Sequence, residues 1–286
     1  MSKNYFVHFA TAMIISLLIA CGGDNQNKEI PTTSTDTTAV KDSVQPAAKP
    51  DKVDMVISDI PFPFEVLENL HSSNIAYDQK VMNPVSNTAK YNQYNSKALN
   101  LGIYGADLAY VVTYEQFQQI GAYVKNAKKL AEDLNIPFAF NQNMMDRYSK
   151  FKDNKDSLTR IVYDSYNQVD KTLKGDERVG IAALVVTGSW LEGLYLSTQT
   201  FVNADKVKEN ASLYKTISAQ KKSLAIVVKL LDEYKDDPYI AKLITDLNDI
   251  VSSYSSTTSN VVLNDDELTG INKKVSKLRN RIVEGL

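Results

Sequence analysis

The sequence predicts an all-α protein whose main body is a bundle of about six or seven main helices. Apolar residues recur at spacings of three and four from about residue 55 onward. No stretch alternates apolar and polar residues for long enough to predict a sheet. The alternative architecture is an irregular α-solenoid of helical hairpins. The 34-residue period of tetratricopeptide repeats is not found, which favours the bundle.

The first helices follow a proline-containing segment. Prolines in residues 60–64 disfavour helix there, and a short helix is expected at about 65–72. The next helix is predicted at about 85–112, with its apolar residues on one face. Thr113 and Gln116 match a capping box, which predicts that another helix begins at this point. The predicted apolar face consists of Tyr91, Tyr94, Ala98, Leu101, Gly105, Leu108 and Val112.

The second half of the chain carries clearer helix boundaries. Gly175 is a favourable C-terminal cap. Asp237 before Pro238 combines a capping side chain with proline at the first helical position. Asn264 and Glu267 match a capping box for the last helix. Helices are therefore predicted at about 142–151, 158–173, 177–202, 205–234, 238–254 and 264–282. The basic residues Lys277, Arg279 and Arg281 near the end of the last helix suit its macrodipole.

The stretch 177–202 is the most apolar helix and is nearly long enough to span a bilayer. We predict that it does not span one, because Glu192 would lie in its apolar part and a charge at mid-bilayer is costly. An apolar surface on nearly all sides instead predicts burial at the centre of the bundle. Trp190 and Leu194 are expected to be buried, and the helix is expected to contact at least three others.

The N-terminal segment has a different character. An apolar run at residues 9–20 ends at Cys21, the single cysteine of the chain, and is too short to span a membrane. A short apolar run followed by small residues is typical of a secretory signal. The sequence Leu18-Ile19-Ala20-Cys21 resembles the lipobox of bacterial lipoproteins, which signal peptidase II cleaves. The resemblance implies removal of residues 1–20 and a Cys21 that carries two or three acyl chains, enough for stable anchoring.

The position after the cysteine suggests a destination. Gly22 stands where an aspartate holds enteric lipoproteins at the inner membrane, and its presence resembles the pattern of lipoproteins sent to the outer membrane. The protein is therefore expected in the cell envelope as an outer-membrane lipoprotein, facing the periplasm or the cell surface. The sequence leaves these two faces open.

Residues 21–54 are predicted to be a disordered tether that begins with the lipidated cysteine. The segment is rich in Thr, Ser, Pro and Lys and contains no aromatic residue. Such a composition buries too little apolar surface to offset its ordering entropy. An alternative role for its Ser/Thr-rich tract is to carry O-glycans. Residues 55–286 are then expected to form a single all-helical domain.

Few residues suggest catalytic chemistry. His71 is the single histidine outside the predicted signal, so di-iron and zinc motifs that need several histidines are not matched. No glycine-rich phosphate loop follows a strand, and Gly102, Gly105 and Gly121 occur inside helical patterns, where they favour close helix packing. No metal or cofactor is therefore expected. With 32 basic and 34 acidic residues, the chain is not expected to bind nucleic acid.

Two carboxylates in the most apolar helices are the strongest candidate site residues. Asp107 and Glu192 are each flanked by small and aromatic residues, and a buried carboxylate must be paired, hydrogen-bonded or protonated. The structural interpretation has them accept hydrogen bonds from tyrosines or pair with an arginine. The functional interpretation is a polar ligand pocket between the two helices. The arginines considered are Arg147, Arg160 and Arg178, and the candidate pocket residues are Asp107, Tyr110, Trp190, Glu192 and Tyr195.

Tyrosine is unusually frequent, with 16 tyrosines against 9 phenylalanines. Tyrosine suits recognition surfaces and also the rim of a helical core. The sequence overall favours a lipid-anchored, non-enzymatic binding or scaffold domain. Its partner would be an envelope protein, a small molecule or a glycan. The alternatives are an envelope enzyme that uses carboxylates in a pocket, and a glycan-capture lipoprotein. A cleft that holds both carboxylates would favour the enzyme, and an aromatic platform would favour glycan capture.

Overall fold

The computed structural model describes most of the predicted helical body. The described residues are 60, 62–136, 140–175, 178–202, 211–254 and 263–285. All of them belong to one unit, Val44–Leu286. The predicted signal, Cys21 and the predicted tether lie outside the described residues.

The described residues form nine α-helices and two 3-10 turns, with no strand among them. Two of the helices have only 10 residues, and the other seven have between 14 and 24. The predicted all-α bundle is thus confirmed. The helices are α1 (Pro63–Ser72), α2 (Tyr94–Thr113), α3 (Phe117–Asp133), α4 (Gln142–Phe151), α5 (Lys155–Gly175), α6 (Val179–Val202), α7 (Ala211–Asp232), α8 (Pro238–Val251) and α9 (Asp265–Val283); the 3-10 turns are Gln79–Val81 and Val85–Lys90.

Helices α2 and α6 form the centre of the bundle and share its most extensive helix contact. Their backbones touch where Gly102 meets Gly188. A Cβ added to Gly102 would lie 2.0 Å from the Val185 carbonyl oxygen, and one added to Gly188 would lie 2.0 Å from the Leu99 carbonyl oxygen. Only glycine allows so close an approach. The prediction that Gly102 serves close helix packing is confirmed.

Helix α6 is buried as predicted. Its segment Val179–Gln199 is apolar and long enough to cross a membrane by length and composition, yet 94% of the apolar window lies inside the protein. Trp190 is 3% exposed and Leu194 is 1% exposed. The helix contacts α1, α2, α5, α7 and α9, which exceeds the three neighbours expected.

Helix α2 differs from its predicted form in two respects. Its predicted apolar face is buried except for the partly buried Tyr94, but Leu99, Ile103 and Val111 on other sides are buried as well, because α2 is a second central helix. It also begins at Tyr94 rather than near residue 85. The residues before it form the 3-10 turn Val85–Lys90, whose short polar side chains compete with helical backbone hydrogen bonds.

The start of α3 corrects another prediction. Thr113 does not cap α3, because α2 continues through it and α3 begins only at Phe117. Between the helices, Glu115 adopts a positive φ of 57°, and the Gln116 side chain donates to the Tyr114 carbonyl instead of closing a capping box.

Two other start signals are confirmed in atomic detail. The Asp237 side chain accepts hydrogen bonds from the backbone N–H groups of Tyr239 and Ile240 at the start of α8. Asn264 and Glu267 form the reciprocal capping box of α9. These signals work because both partners lie within one turn of the same chain segment.

Candidate functional site

The two carboxylates singled out from the sequence lie in one buried cluster. Gly102 and Gly188 meet at the crossing, and Asp107 and Glu192 follow about one turn later on α2 and α6. Both carboxylate residues are 0% exposed, and they interact strongly enough for Glu192 to raise the pKa of Asp107. The close helix crossing therefore places two acidic groups side by side in the core.

Glu192 is paired with Arg279 of α9. The Arg279 Nε donates to Glu192 Oε2 at 2.9 Å, and Nη2 donates to Oε1 at 2.7 Å. This is the bidentate arrangement that gives arginine–carboxylate pairs their strength. The guanidinium also lies 4.4 Å from the centre of the Tyr195 ring and donates to the Val81 carbonyl at 3.2 Å.

The partner of Glu192 corrects two expectations. Arg279 was expected only to suit the macrodipole near the end of the last helix, but it is 4% exposed and pairs with Glu192 in the core. None of the three arginines considered as partners takes this role. Arg147 instead pairs with Asp164, and Arg178 donates to the Leu134 carbonyl at 2.7 Å.

Asp107 has a much weaker set of partners. Its Oδ2 accepts one hydrogen bond, from the Asn83 backbone N–H at 3.2 Å, and its Oδ1 has no hydrogen-bond partner among the described residues. Burial raises the pKa of Asp107 well above its ordinary value, and the Glu192 carboxylate raises it further. The charge of Arg279 lowers this pKa in part without cancelling the rise. No tyrosine hydroxyl donates to Asp107 among the described contacts.

A connecting segment lies over the cluster. We call residues 75–93, between α1 and α2, the cover segment; it contains both 3-10 turns. Its irregular backbone cannot satisfy its own polar groups, so bundle side chains do so. Tyr104 donates to the Pro84 carbonyl at 3.0 Å, Tyr114 donates to the Ile75 carbonyl at 2.9 Å, and Tyr110 accepts from the Asp78 N–H at 3.0 Å.

These contacts account for part of the high frequency of tyrosine in the sequence. Tyr104 and Tyr110 are 0% exposed and lie in the core itself rather than at its rim, where the sequence favoured them. Burial raises the pKa of these phenols, and raises that of the half-buried Tyr77 to about 12. The tyrosines thus act as neutral hydrogen-bonding groups that fasten the cover segment to the bundle.

Asparagines complete the cluster and were missed in the sequence. Asn83 donates to Tyr91 at 2.9 Å and to Asn100 at 3.3 Å, and Asn87 donates to Asn83 at 3.0 Å. Asn100 also donates to the Ile282 carbonyl at 3.2 Å and so joins the cover segment to α9. A signal was present, because Asn100 stands in the apolar stretch of α2.

Arg279 also carried a signal in the sequence. It follows Val275 by four residues, which places it beside the apolar stripe of α9 rather than on the opposite face. Among the candidate pocket residues, Asp107, Glu192 and Tyr195 share the cluster. Trp190 donates to Gln220 of α7 at 3.1 Å, and Tyr110 stacks on Tyr77 at 5.2 Å between ring centres.

Two small apolar cavities lie elsewhere, between α2, α3 and α5; α4 also lines the first and α6 the second. Their volumes are about 20 and 30 Å³, and both are lined by Leu108, Phe140, Val162 and Ser165. Each has room for about one water molecule, but the apolar walls offer few hydrogen-bond partners. Neither cavity is lined by Asp107 or Glu192. Within the described ranges, no group of three or more His, Cys, Asp or Glu residues could hold a metal ion.

The geometry limits what the cluster can do as it stands. The described contacts of Asp107 and Glu192 join α2, α6, α9 and the cover segment, so a substrate would reach them only after that segment moved. In its closed form the cluster can hold charge and protons and can fasten the cover segment. No known protein family, curated protein or solved structure matches this chain.

Proposed function

We propose that the chain is a lipid-anchored helical domain of the cell envelope that acts as a binding or scaffold protein. The anchor rests on the resemblance of residues 18–21 to a lipobox, with Cys21 as the acylated residue. The membrane is then one partner, and an envelope protein is the other partner that we propose. The outer membrane is the proposed location, as Gly22 suggests.

The enclosure of the buried carboxylates is the observation that supports binding over catalysis. Glu192 has both oxygens engaged by Arg279, and Asp107 receives the backbone of the cover segment. Groups used in this way stabilise a rigid body. A rigid body with a closed core presents its outer helix faces to a partner, as a scaffold requires.

The nature of the surface favours a polar partner interface. Val85 is the single large hydrophobic side chain exposed in the described part of the chain, at 37%. The described surface therefore offers no exposed aromatic platform of the kind that suits glycan capture. Transient protein–protein interfaces are often about as polar as the remaining surface.

Photo-crosslinking in the native cell tests this proposal. A photoreactive residue is placed, one at a time, at Lys125 of α3, Lys171 of α5, Lys222 of α7 or Lys273 of α9, all exposed. A scaffold should crosslink to the same envelope protein from one or two of these faces and not from all four. Crosslinks spread equally over all faces, or none from any, would contradict the proposal.

The enzyme remains a second candidate because of one observation. Asp107 has a strongly raised pKa and a buried oxygen without a partner, and perturbed carboxyl groups often mark catalytic sites. The Asp107→Asn variant separates the two functions. A scaffold should keep its crosslinks and its cellular role in this variant, whereas an enzyme that uses Asp107 as an acid or base should lose its activity while still folding.

A further inference from the structure

We propose that the cluster is a proton-binding site: one proton, shared between the carboxyl groups of Asp107 and Glu192, holds the cover segment on the bundle. The inference concerns the folded domain itself and does not depend on the lipid anchor or on a partner. It starts from a count of charges. Two buried carboxyl groups face one buried guanidinium, that of Arg279.

Arg279 is committed to one of the two acids. Its Nε and Nη2 both donate to Glu192, and its remaining described hydrogen bond goes to the Val81 carbonyl. The guanidinium and the Glu192 carboxylate therefore neutralise each other at contact distance. An ionised Asp107 would add a second negative charge to a fully buried site, which is costly unless that charge is paired.

A proton on Asp107 removes the unpaired negative charge and also gives its unpartnered Oδ1 a hydrogen-bonding role. A protonated carboxyl group is neutral and gains an O–H donor. The Asp107 Oδ1, which has no partner as an acceptor, becomes a donor that can bond to the Glu192 carboxylate. Paired carboxyl groups that share a proton in this way are a familiar result of placing like charges side by side.

The same proton affects the cover segment. Asp107 Oδ2 accepts from the Asn83 N–H, and Asn83 in turn bonds to Tyr91 and Asn100. Loss of the proton would leave two carboxylates in repulsion next to this contact. We expect the cover segment to loosen first, because Asn83 and Val81 are its attachment points to the acidic and basic members of the cluster.

The surroundings of Asp107 leave few other groups that could take the proton. The tyrosines among them have pKa values raised by burial, so they stay neutral over the same range. The titratable and charged groups around Asp107 are Glu192 and Tyr195 on α6, Arg279 on α9, Tyr104 on α2, Tyr123 on α3, Tyr166 on α5, and Tyr77 and Asp78 in the cover segment.

The sign of the pH dependence follows from the raised pKa of Asp107. The folded protein holds this proton at pH values where the unfolded chain has released it, so folding is favoured at low pH and disfavoured as pH rises toward the folded pKa. Release of one proton on unfolding makes the unfolding constant rise about tenfold per pH unit in this range. Other groups add their own dependence, so the comparison must be with a variant.

Asp107→Asn is the matched variant, because the amide is neutral at all pH values and keeps an N–H donor for Glu192. Urea unfolding of the full chain is measured from weakly acidic to alkaline pH for the wild type, Asp107→Asn and the control Asp164→Asn, which alters a half-exposed surface ion pair. The ratio of the Asp107→Asn unfolding constant to the wild-type unfolding constant should therefore fall by up to tenfold for each unit by which the pH is raised. Asp164→Asn should follow the wild type.

Hydrogen exchange gives a local readout. At alkaline pH the amides of residues 75–93, compared with those of α6, should exchange faster in the wild type than in Asp107→Asn, after correction for intrinsic rates. Equal pH dependence of the unfolding constants in the two proteins would overturn the proposal. Stabilisation of the wild type, but not of Asp107→Asn, by sodium or potassium ions would also overturn it, because a cation would then neutralise Asp107.

Infrared spectroscopy of the wild type keeps the proposal testable if Asp107→Asn fails to fold. A buried protonated carboxyl group gives a carbonyl stretching band that ionised carboxylates lack. The proposal expects this band at neutral pH, its shift on exchange into heavy water, and its loss as pH is raised. A spectrum at neutral pH without the band would refute a shared proton.

Discussion

Replacing glycine by alanine is expected to change the stability of the protein in opposite directions at two positions, Gly188 at the crossing of α2 and α6 and Gly270 away from it. Gly188→Ala should destabilise the protein, because its Cβ would lie 2.0 Å from the Leu99 carbonyl oxygen, where ordinary contact begins at 3.4 Å. Gly270→Ala is the control on α9, since a Cβ there meets nothing within 4 Å. Both positions lie inside helices, so the intrinsic preference for alanine is the same.

The magnitude follows from the distances. To restore contact, the two backbones must separate by more than one ångström, and backbone atoms cannot rotate away as a side chain can. Overpacking of a core costs about 1–3 kcal/mol, and this site belongs at the upper end. Alanine regains about 1 kcal/mol in helix preference. We therefore expect Gly188→Ala to lower the free energy of unfolding by about 2 kcal/mol and Gly270→Ala to raise it by about 0.5–1 kcal/mol.

Urea unfolding followed by circular dichroism measures both values, and thermal unfolding provides a second measurement. For a domain of this size, about 2 kcal/mol corresponds to a decrease in Tm of about 4–8 °C. The reasoning would be refuted if Gly188→Ala melted at or above the wild-type temperature. It would also fail if the two substitutions shifted stability in the same direction, because only the helix crossing distinguishes the two sites.

Three further predictions concern the core and the proposed anchor. Arg279→Met leaves Glu192 buried and unpaired, and it should lower the free energy of unfolding in denaturant by about 3–5 kcal/mol. The control Arg281→Met on the same helix removes a partly exposed ion pair and should cost at most about 1 kcal/mol. Equal losses in the two variants would show that burial does not make the Arg279–Glu192 pair more important. Trp190→Ala should lower the free energy of unfolding by about 3–5 kcal/mol, because Trp190 is buried in the core. A variant that melts at the wild-type temperature would contradict the central position of α6. Cys21→Ser should abolish metabolic labelling with a fatty acid, and undiminished labelling would end the lipoprotein hypothesis.

Local signals account for the part of the fold that the sequence predicted. The starts of α8 and α9 depend on side chains within the first turn of each helix, as at Asp237 and Asn264. The burial of α6 follows from an apolar surface on all sides. Such features are decided by neighbouring residues, so a pattern in the sequence is enough to find them.

The failures that concern the buried site share one physical cause, which is dependence on distant residues. At residue 85 the polar side chains of the 3-10 turn compete locally for backbone hydrogen bonds, and just before it the carbonyls of Pro84 and Asn83 accept from the distant Tyr104 and Tyr123. Glu192 and Arg279 were both visible in the sequence, but 87 residues separate them and periodicity does not say which charges meet. The sequence could therefore point to Asp107 and Glu192 as candidate site residues, but not to Arg279 as their partner or to residues 75–93 as the segment that covers them.

The long separation of the cluster's members has a consequence for how the chain folds. Arg279 meets Glu192 across 87 residues and meets Val81 across 198. Until α9 docks, the two acidic side chains at the crossing of α2 and α6 lack Arg279, which is their cationic neighbour in the described part of the chain. Contacts this far apart in sequence form slowly, because loop closure must precede them.

The central crossing therefore should not reach its final packing while α9 is missing. A chain that emerges from its N-terminus onward would carry α2 and α6 as loosely associated helices until residue 279 arrives. The last helix then sets the moment at which folding is completed.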